Sequence, residues 1–211
     1  MKTETILKKV NEYLSDMDTN KILQLKQDLE EDIRKESVKS KGLKMDSAIK
    51  KVLKNISNTN LIFGCYPYKN NRAFTDGFRV YVVNDDYGYP KNEELEKPSG
   101  INISRIIPQT DVYTQEIKID ISDLEAYTKI VKAEKKLKDN PYILQTDHIT
   151  HNDKPWQIGF NAEYLLDMLK AYKTDTIYCT TSNVSPCLTS LDLDGEFGLL
   201  LPIRIKEEEN V

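Results

Sequence analysis

Long apolar runs are missing from this chain. Nowhere do roughly 18 consecutive apolar residues occur, so no helical membrane span is expected. Cysteine is scarce: Cys65, Cys179 and Cys187 form no C-x-x-C pair. An odd count without an apolar leader points to a reducing compartment, and the cytoplasm is the expected location. There is no G-x-S-x-G, no glycine-rich phosphate loop and no cysteine beside a histidine in sequence, so no enzymatic chemistry is expected. The two histidines, His148 and His151 in QTDHITHND, sit between Asp147 and Asp153 at a spacing that could hold a metal. Zinc, however, needs three or four converging ligands, and no further Cys or His stands near. A polar turn is the expected reading, with no metal and no cofactor. An excess of positive charge is also lacking. The net charge of −4 speaks against a simple basic nucleic-acid binder, yet local fields depend on where the lysines cluster.

What is present is ordinary for a folded protein: 39% hydrophobic and 30% charged residues over 211 positions, enough for one domain with an appendage or two small ones. Residues 1–43 read as a helical arm or hairpin. Ile6, Val10, Leu14 and Met17 share one stripe and Ile22, Leu25, Leu29 and Ile33 another, with nine basic against nine acidic residues. VKSKGLK, residues 38–44, supplies a hinge, and residues 44–211 are expected to form the main domain.

Within that domain, MDSAIKKVLKNI (45–56) puts Ala48, Ile49, Val52, Leu53 and Ile56 on one side of a helix and Lys50, Lys51 and Lys54 on the other. NLIFGCYPY and RAFTDGFRVYVVN, the latter around an Asp-Gly turn signal, read as antiparallel strands. Residues 85–115 form a long Pro-, Gly- and Asn-rich excursion. EIKIDI is a strand, and Ser122-Asp123-Leu124-Glu125 after it reads as a capping box opening a helix with Leu124, Tyr127, Ile130 and Val131 inward. Its tail carries Lys129, Lys132, Lys135, Lys136 and Lys138. Then come ILQT, KPWQIGF, the helix GFNAEYLLDMLKAY (159–172) and three short β-type segments, TIYCTT, SPCLTSLDL and GEFGLLLPIRI. Helix-then-strands thus occurs twice, a weak internal repeat carried by layout.

The 159–172 helix has Asn161 as N-cap and Glu163 in its first turn. Ala162, Leu165, Leu169 and Tyr172 must face a core, while Glu163, Asp167, Lys170 and Thr174 make the opposite stripe, which reads as a solvated face. The lysines of 44–54 and 129–138 have the same bland reading, with phosphate contact as the functional alternative.

Two motifs carry a resemblance. GFNAEYLLDMLKAY with the following TIYCTTSNVSPCLTSLDLDGEFGLLLPIRI resembles the C-terminal segment of bacterial DNA polymerase sliding clamps, the polymerase III beta family. RAFTDGFRVYVV and EIKIDISDLEAYTKIVK resemble that family's Ala-Thr-Asp-Gly-His-Arg-Leu strand and the strand and helix that follow it. Together they cover most of residues 45–206. The resemblance implies an α+β, DNA-clamp-like domain of helices packed on antiparallel sheets. It also implies a replication accessory role in processivity, with a pocket for short linear motifs of DNA polymerases and other replication proteins. Carried over by position, the peptide pocket would comprise Thr75, Gly77, Phe78, Arg79 and Val80 from the first motif. From the second it would take Asn161, Tyr164, Pro186, Leu199, Leu201, Pro202, Ile203 and Arg204. Leu and Ile would form an apolar floor, with Asn, Tyr and Arg at the rim.

By the same resemblance, duplex DNA would meet Lys50, Lys51, Lys54, Lys132, Lys136, Lys170 and Lys173 without sequence preference. Phe78 stands where the family has His, and Leu201 and Ile203 where it has Met, so a stiffer apolar pocket is implied. Family chains carry three clamp domains and this chain has room for one, so a ring would need a homo-oligomer. The pocket halves would then meet inside the chain or across a subunit interface. A phage or mobile-element origin would suit such a shortened clamp. The alternative expectation is a non-ring adaptor or decoy that keeps only the peptide pocket.

Overall fold

The computed structural model describes residues 43–54, 64–84, 103–107, 109–134, 140–151 and 154–205. The expected arm of residues 1–43 and Lys136 lie outside the described residues, apart from Leu43 itself.

The first described helix, α1 (Leu43–Lys54), buries Met45, Ala48, Ile49 and Val52 on one side, as the spacing requires. It begins two residues before the expected Met45. Strands β1 (Gly64–Tyr68), β2 (Asn71–Thr75) and β3 (Arg79–Asn84) follow as an antiparallel meander. The turn between β2 and β3 is built by Gly77, whose φ of 83° is open to glycine at little cost, and by Asp76. Asp76 Oδ1 accepts the backbone N–H of Phe78 and of Arg79, at 3.2 and 3.3 Å.

Two 3-10 turns, Ile103–Arg105 and Thr110–Val112, interrupt the long excursion before β4 (Gln115–Lys118). Helix α2 (Ile121–Ala133) corrects the sequence reading at two points. Its N-cap is Asp120, whose carboxylate accepts from the amides of Ser122 and Asp123 at 2.8 and 3.1 Å. Asp120 thus takes the role expected of Ser122, an anion at the positive end of the helix dipole. Glu125 is thereby released to pair with Lys170 on another helix. The buried face is Leu124, Thr128 and Val131, whereas Ile130, expected inside, is 58% exposed.

The β5 (Tyr142–His151) and β6 (Lys154–Phe160) hairpin is a separate two-stranded sheet. His148 and His151 lie on β5, not in a turn, and their side chains are outside the described residues. Helix α3 (Ala162–Tyr172) then leads to β7 (Thr176–Cys179), β8 (Cys187–Leu188) and β9 (Phe197–Leu200).

Seven strands form one sheet in the order β1-β2-β3-β9-β8-β7-β4. The expected repeat is visible in it: α1 with β1–β3 and α3 with β7–β9 are two helix-plus-three-strand sets joined at β3–β9. Alternation along β3 sends Tyr81 and Val83 to the helical side and Val80 and Val82 to the other. Both faces are covered, which is why β3 reads as a nearly continuous apolar run. On the helical side α1, α2, α3 and the hairpin's Trp156, Ile158 and Phe160 share one core. Tyr172, expected to face the core, packs against it half-buried, and its hydroxyl donates to the carbonyls of Val82 and Phe197, tying the end of α3 to both central strands.

Candidate functional site

The two motifs meet within one chain. Arg79 and Val80 on β3 face Leu200 and Leu199 on β9 across the central ladder. Past the end of β9, Leu201 N–H donates to the Phe78 carbonyl at 2.9 Å, and Ile203 N–H donates to the Gly159 carbonyl of β6 at 2.8 Å. The segment 201–205 therefore runs from the Gly77 turn to the root of α3. It can do so because Gly159 has no side chain: a Cβ there would lie 3.1 Å from both Ile205 Cγ1 and Pro141 Cβ and 3.3 Å from the Ile203 carbonyl.

Asn161 caps α3, its Oδ1 accepting the amides of Glu163 and Tyr164 at 3.0 and 3.2 Å. This cap aims the first turn of α3 at the Gly77 turn. The Phe78 and Tyr164 rings are 6.3 Å apart between centroids, and the Arg79 guanidinium lies 4.1 Å from the Tyr164 ring centre. Phe78 is 56% exposed, a large apolar ring in water. Tyr164, Pro186, Leu201, Pro202 and Ile203 are half-buried, and Arg204 is exposed. Pro186 immediately precedes Cys187, the ladder partner of Leu200. The result is a surface where the exposed Phe78 ring stands beside Tyr164, packed on the helical core, and is joined through its carbonyl to Leu201, which packs on the core of the opposite sheet face.

Four of the carried-over residues do not reach that surface. Thr75, Val80 and Leu199 are buried beneath it, and Arg79, expected at the rim, is only 2% exposed. The Arg79 guanidinium is used internally: Nε donates to Asp76 Oδ2 at 3.0 Å and Nη1 to Asp167 Oδ2 at 3.3 Å. Burial opposes its charge, but the Tyr81 oxygen and the Asp76 and Asp167 carboxylates outweigh that and hold its pKa above the ordinary value. Arg79 is thus a positioning residue that clamps the turn to α3. Asp76, which makes this clamp, was not picked out from sequence. The signal for it was the Asp-Gly pair itself, since Asp at such a turn binds backbone amides two and three residues on.

The polar stripe of α3 is not a free solvated face. Asp167 takes Lys51 at 2.8 Å as well as Arg79, and Glu163 takes Lys132 at 2.7 Å and Lys51 at 3.3 Å. Partial burial works against the Glu163 charge, and the two lysines more than offset it, so its pKa falls below the usual carboxylate value. These pairs join α3 to α1 and α2. Four of the seven lysines expected to meet DNA are held in ion pairs: Lys51 and Lys132 as described, Lys50 on Asp46 at 2.7 Å and Lys170 on Glu125 at 2.5 Å, while Lys54 is exposed at the end of α1. At the far end of α3, Lys44, Lys170 and Lys173 with Ile121, Leu169 and Asp175 border a groove of about 530 Å³. That groove is distinct from the Phe78 surface, which lies at the first turn of the same helix. Among the described residues no group of three His, Cys, Asp or Glu converges as a metal site. No helix among them is long and apolar enough to cross a membrane.

The antiparallel sheet under its helices defines an α+β fold, and solved structures of sliding clamps match it over part of their length. A putative DNA polymerase III beta subunit from Eubacterium rectale is 16% identical, with 70% of this chain and 58% of that one covered and a TM-score of 0.47. The DNA polymerase sliding clamp from Pseudomonas aeruginosa is 15% identical, covering 75% of this chain and 65% of its own, with a TM-score of 0.44. The Helicobacter pylori beta clamp bound to a DNA ligase peptide is 17% identical, covering 66% and 42%, at 0.34. This chain therefore spans between 42% and 65% of the length of these structures. No protein-family model and no curated protein matches the chain.

Proposed function

We propose that this protein is a clamp-like replication accessory factor that acts by binding, not by catalysis, and whose ligand is a short linear peptide motif of a DNA polymerase or another replication protein. The observation that carries the reading is the meeting of the two clamp-like motifs in one chain, at the Leu201 amide and Phe78 carbonyl. An extended peptide would place an apolar anchor against Phe78, Leu201 and Pro202, with Asn161 and Arg204 available to its backbone. A cytoplasmic location, with DNA replication as the setting, goes with this reading.

For the DNA-facing half, a lysine held by a carboxylate must exchange that partner before it can take up a phosphate, so the internal pairing of Lys50, Lys51, Lys132 and Lys170 favours peptide capture over DNA encirclement. The adaptor or decoy reading, a chain that keeps the peptide surface without a ring, gains from the same observation. A homo-oligomeric ring around duplex DNA is the processivity version.

A fluorescein-labelled Gln-Leu-x-Leu-Phe peptide tests the proposal by anisotropy. Binding in the micromolar range, about −8 kcal/mol, is expected, and Phe78→Asp should weaken it at least tenfold. A flat titration of the wild-type chain overturns it. Light scattering then separates the two versions: a monomer or dimer that passes DNA unretained leaves the adaptor.

A further inference from the structure

Cys179 and Cys187 stand on neighbouring strands of the large sheet, and both are buried. Tyr178 is the ladder partner of Leu188, so the next residue on each strand, Cys179 on β7 and Cys187 on β8, also stand opposite each other. Their sulfurs are 2.7 Å apart. Opposed antiparallel residues have Cα atoms about 4.5–5.5 Å apart, inside the range of roughly 4.4–6.8 Å that a disulfide spans. Opposition on neighbouring antiparallel strands thus meets the Cα spacing that a disulfide requires. Cys65, the third cysteine, lies on β1 opposite Phe74, at the far edge of the sheet order.

We propose that Cys179 and Cys187 are a reversible dithiol–disulfide couple, oxidised by a hydroperoxide or by a small-molecule disulfide. With a hydroperoxide, one thiol gives up its proton and the thiolate attacks an oxygen; the O–O bond breaks, a sulfenic acid forms, and the departing hydroxide or alkoxide takes up that proton to leave as water or an alcohol. The second thiol attacks that sulfur, the S–S bond forms, the S–O bond breaks, and hydroxide departs with the thiol proton as water. Two electrons pass from the sulfur pair to the peroxide. With a small-molecule disulfide, two exchange steps release two small thiols and leave the same bond. Access comes by local opening of β8, which is only two residues long and is held between β7 and β9. Burial and the neighbouring Cys179 push the Cys187 thiol well up, so it rests protonated and the closed sheet reacts slowly. Such a couple suits a reducing compartment, where disulfides are usually transient. The proposal is independent of the peptide reading.

The test uses the full chain equilibrated with hydrogen peroxide, and separately with a graded series of reduced and oxidised glutathione. N-ethylmaleimide labelling in denaturant and tryptic mass mapping then follow. One tryptic peptide, residues 174–204, carries both cysteines. It is expected to be lighter by two hydrogens and to lose both labels, regaining them after reduction, while Cys65 stays labelled. Cys65→Ala should keep the linkage, and Cys187→Ala should leave Cys179 open to label. Two labels on the 174–204 peptide after oxidation, a glutathione adduct that never resolves, or a bond to Cys65 or to a second chain would each overturn the proposal.

Discussion

Replacing Arg79 by methionine keeps most of the side-chain volume and deletes the charge, and the structure fixes what that should do. Arg79 and Asp76 are 2% and 1% exposed, with Nε 3.0 Å from Oδ2. Removing one partner of a buried pair leaves the other charge without compensation, at a cost of about 3–5 kcal/mol. Asp76 keeps its two backbone amides, which places the expectation at the lower end, near 3 kcal/mol. The lost guanidinium contact with the Tyr164 ring adds about 0.5–2 kcal/mol. Against a typical total of about 5–15 kcal/mol this is a large fraction, and it should lower Tm by roughly 10 °C. Urea unfolding followed by circular dichroism measures it. Combining Arg79→Met with Asp76→Asn should cost less than the sum of the two by more than about 1 kcal/mol, because the double variant buries no orphan charge. A single-variant cost below about 1 kcal/mol would refute the clamp, since that is what an exposed ion pair contributes.

Three further outcomes are expected. Asn161→Ala should destabilise the chain by about 0.5–2 kcal/mol through loss of the α3 cap, read by thermal unfolding, with Asn161→Asp close to wild type. Glu163 has its folded pKa below the ordinary carboxylate value of about 4.5, so its stabilisation is present above that value and is lost as pH falls through the folded pKa. Glu163→Gln should therefore be less stable than wild type at neutral pH and match it in acid, as urea midpoints across pH 3–7 would report. Gly198→Ala would set a Cβ 2.6 Å from Met168 Sδ and 2.8 Å from Tyr172 Cε2, overpacking the contact between β9 and α3 at about 1–3 kcal/mol.

Much of this was legible in the sequence where local chemistry decides. The inward stripe of α3 and its Asn161 cap follow from spacing and residue type, and the Gly77 turn follows from Asp-Gly. What sequence could not supply was the identity of partners. Periodicity marks Glu163, Asp167 and Lys170 as polar, and a polar helix face looks the same whether water or Lys51 meets it. Arg79 was placed at the rim by the clamp resemblance alone, and only the joint placement of Asp76, Asp167 and Tyr164 makes the burial of an arginine affordable. Asp120 and Ser122 are both good caps two residues apart, and local pattern does not choose between them. Ile130 fits a helical stripe, yet it stands 58% exposed on the outer side of α2.

The central claim is that a single chain carries the whole peptide surface. Calorimetric titration of the Gln-Leu-x-Leu-Phe peptide into Phe78→Asp, into Leu201→Asp and into an equimolar mixture of the two tests it most directly. Each variant, checked for folding, should bind at least tenfold more weakly than wild type, and mixing should restore nothing, because both halves of every surface come from one chain. Recovery of wild-type affinity in about a quarter or more of the sites on mixing would mean that the halves come from neighbouring subunits, and full affinity in both separate variants would remove the surface from the account altogether.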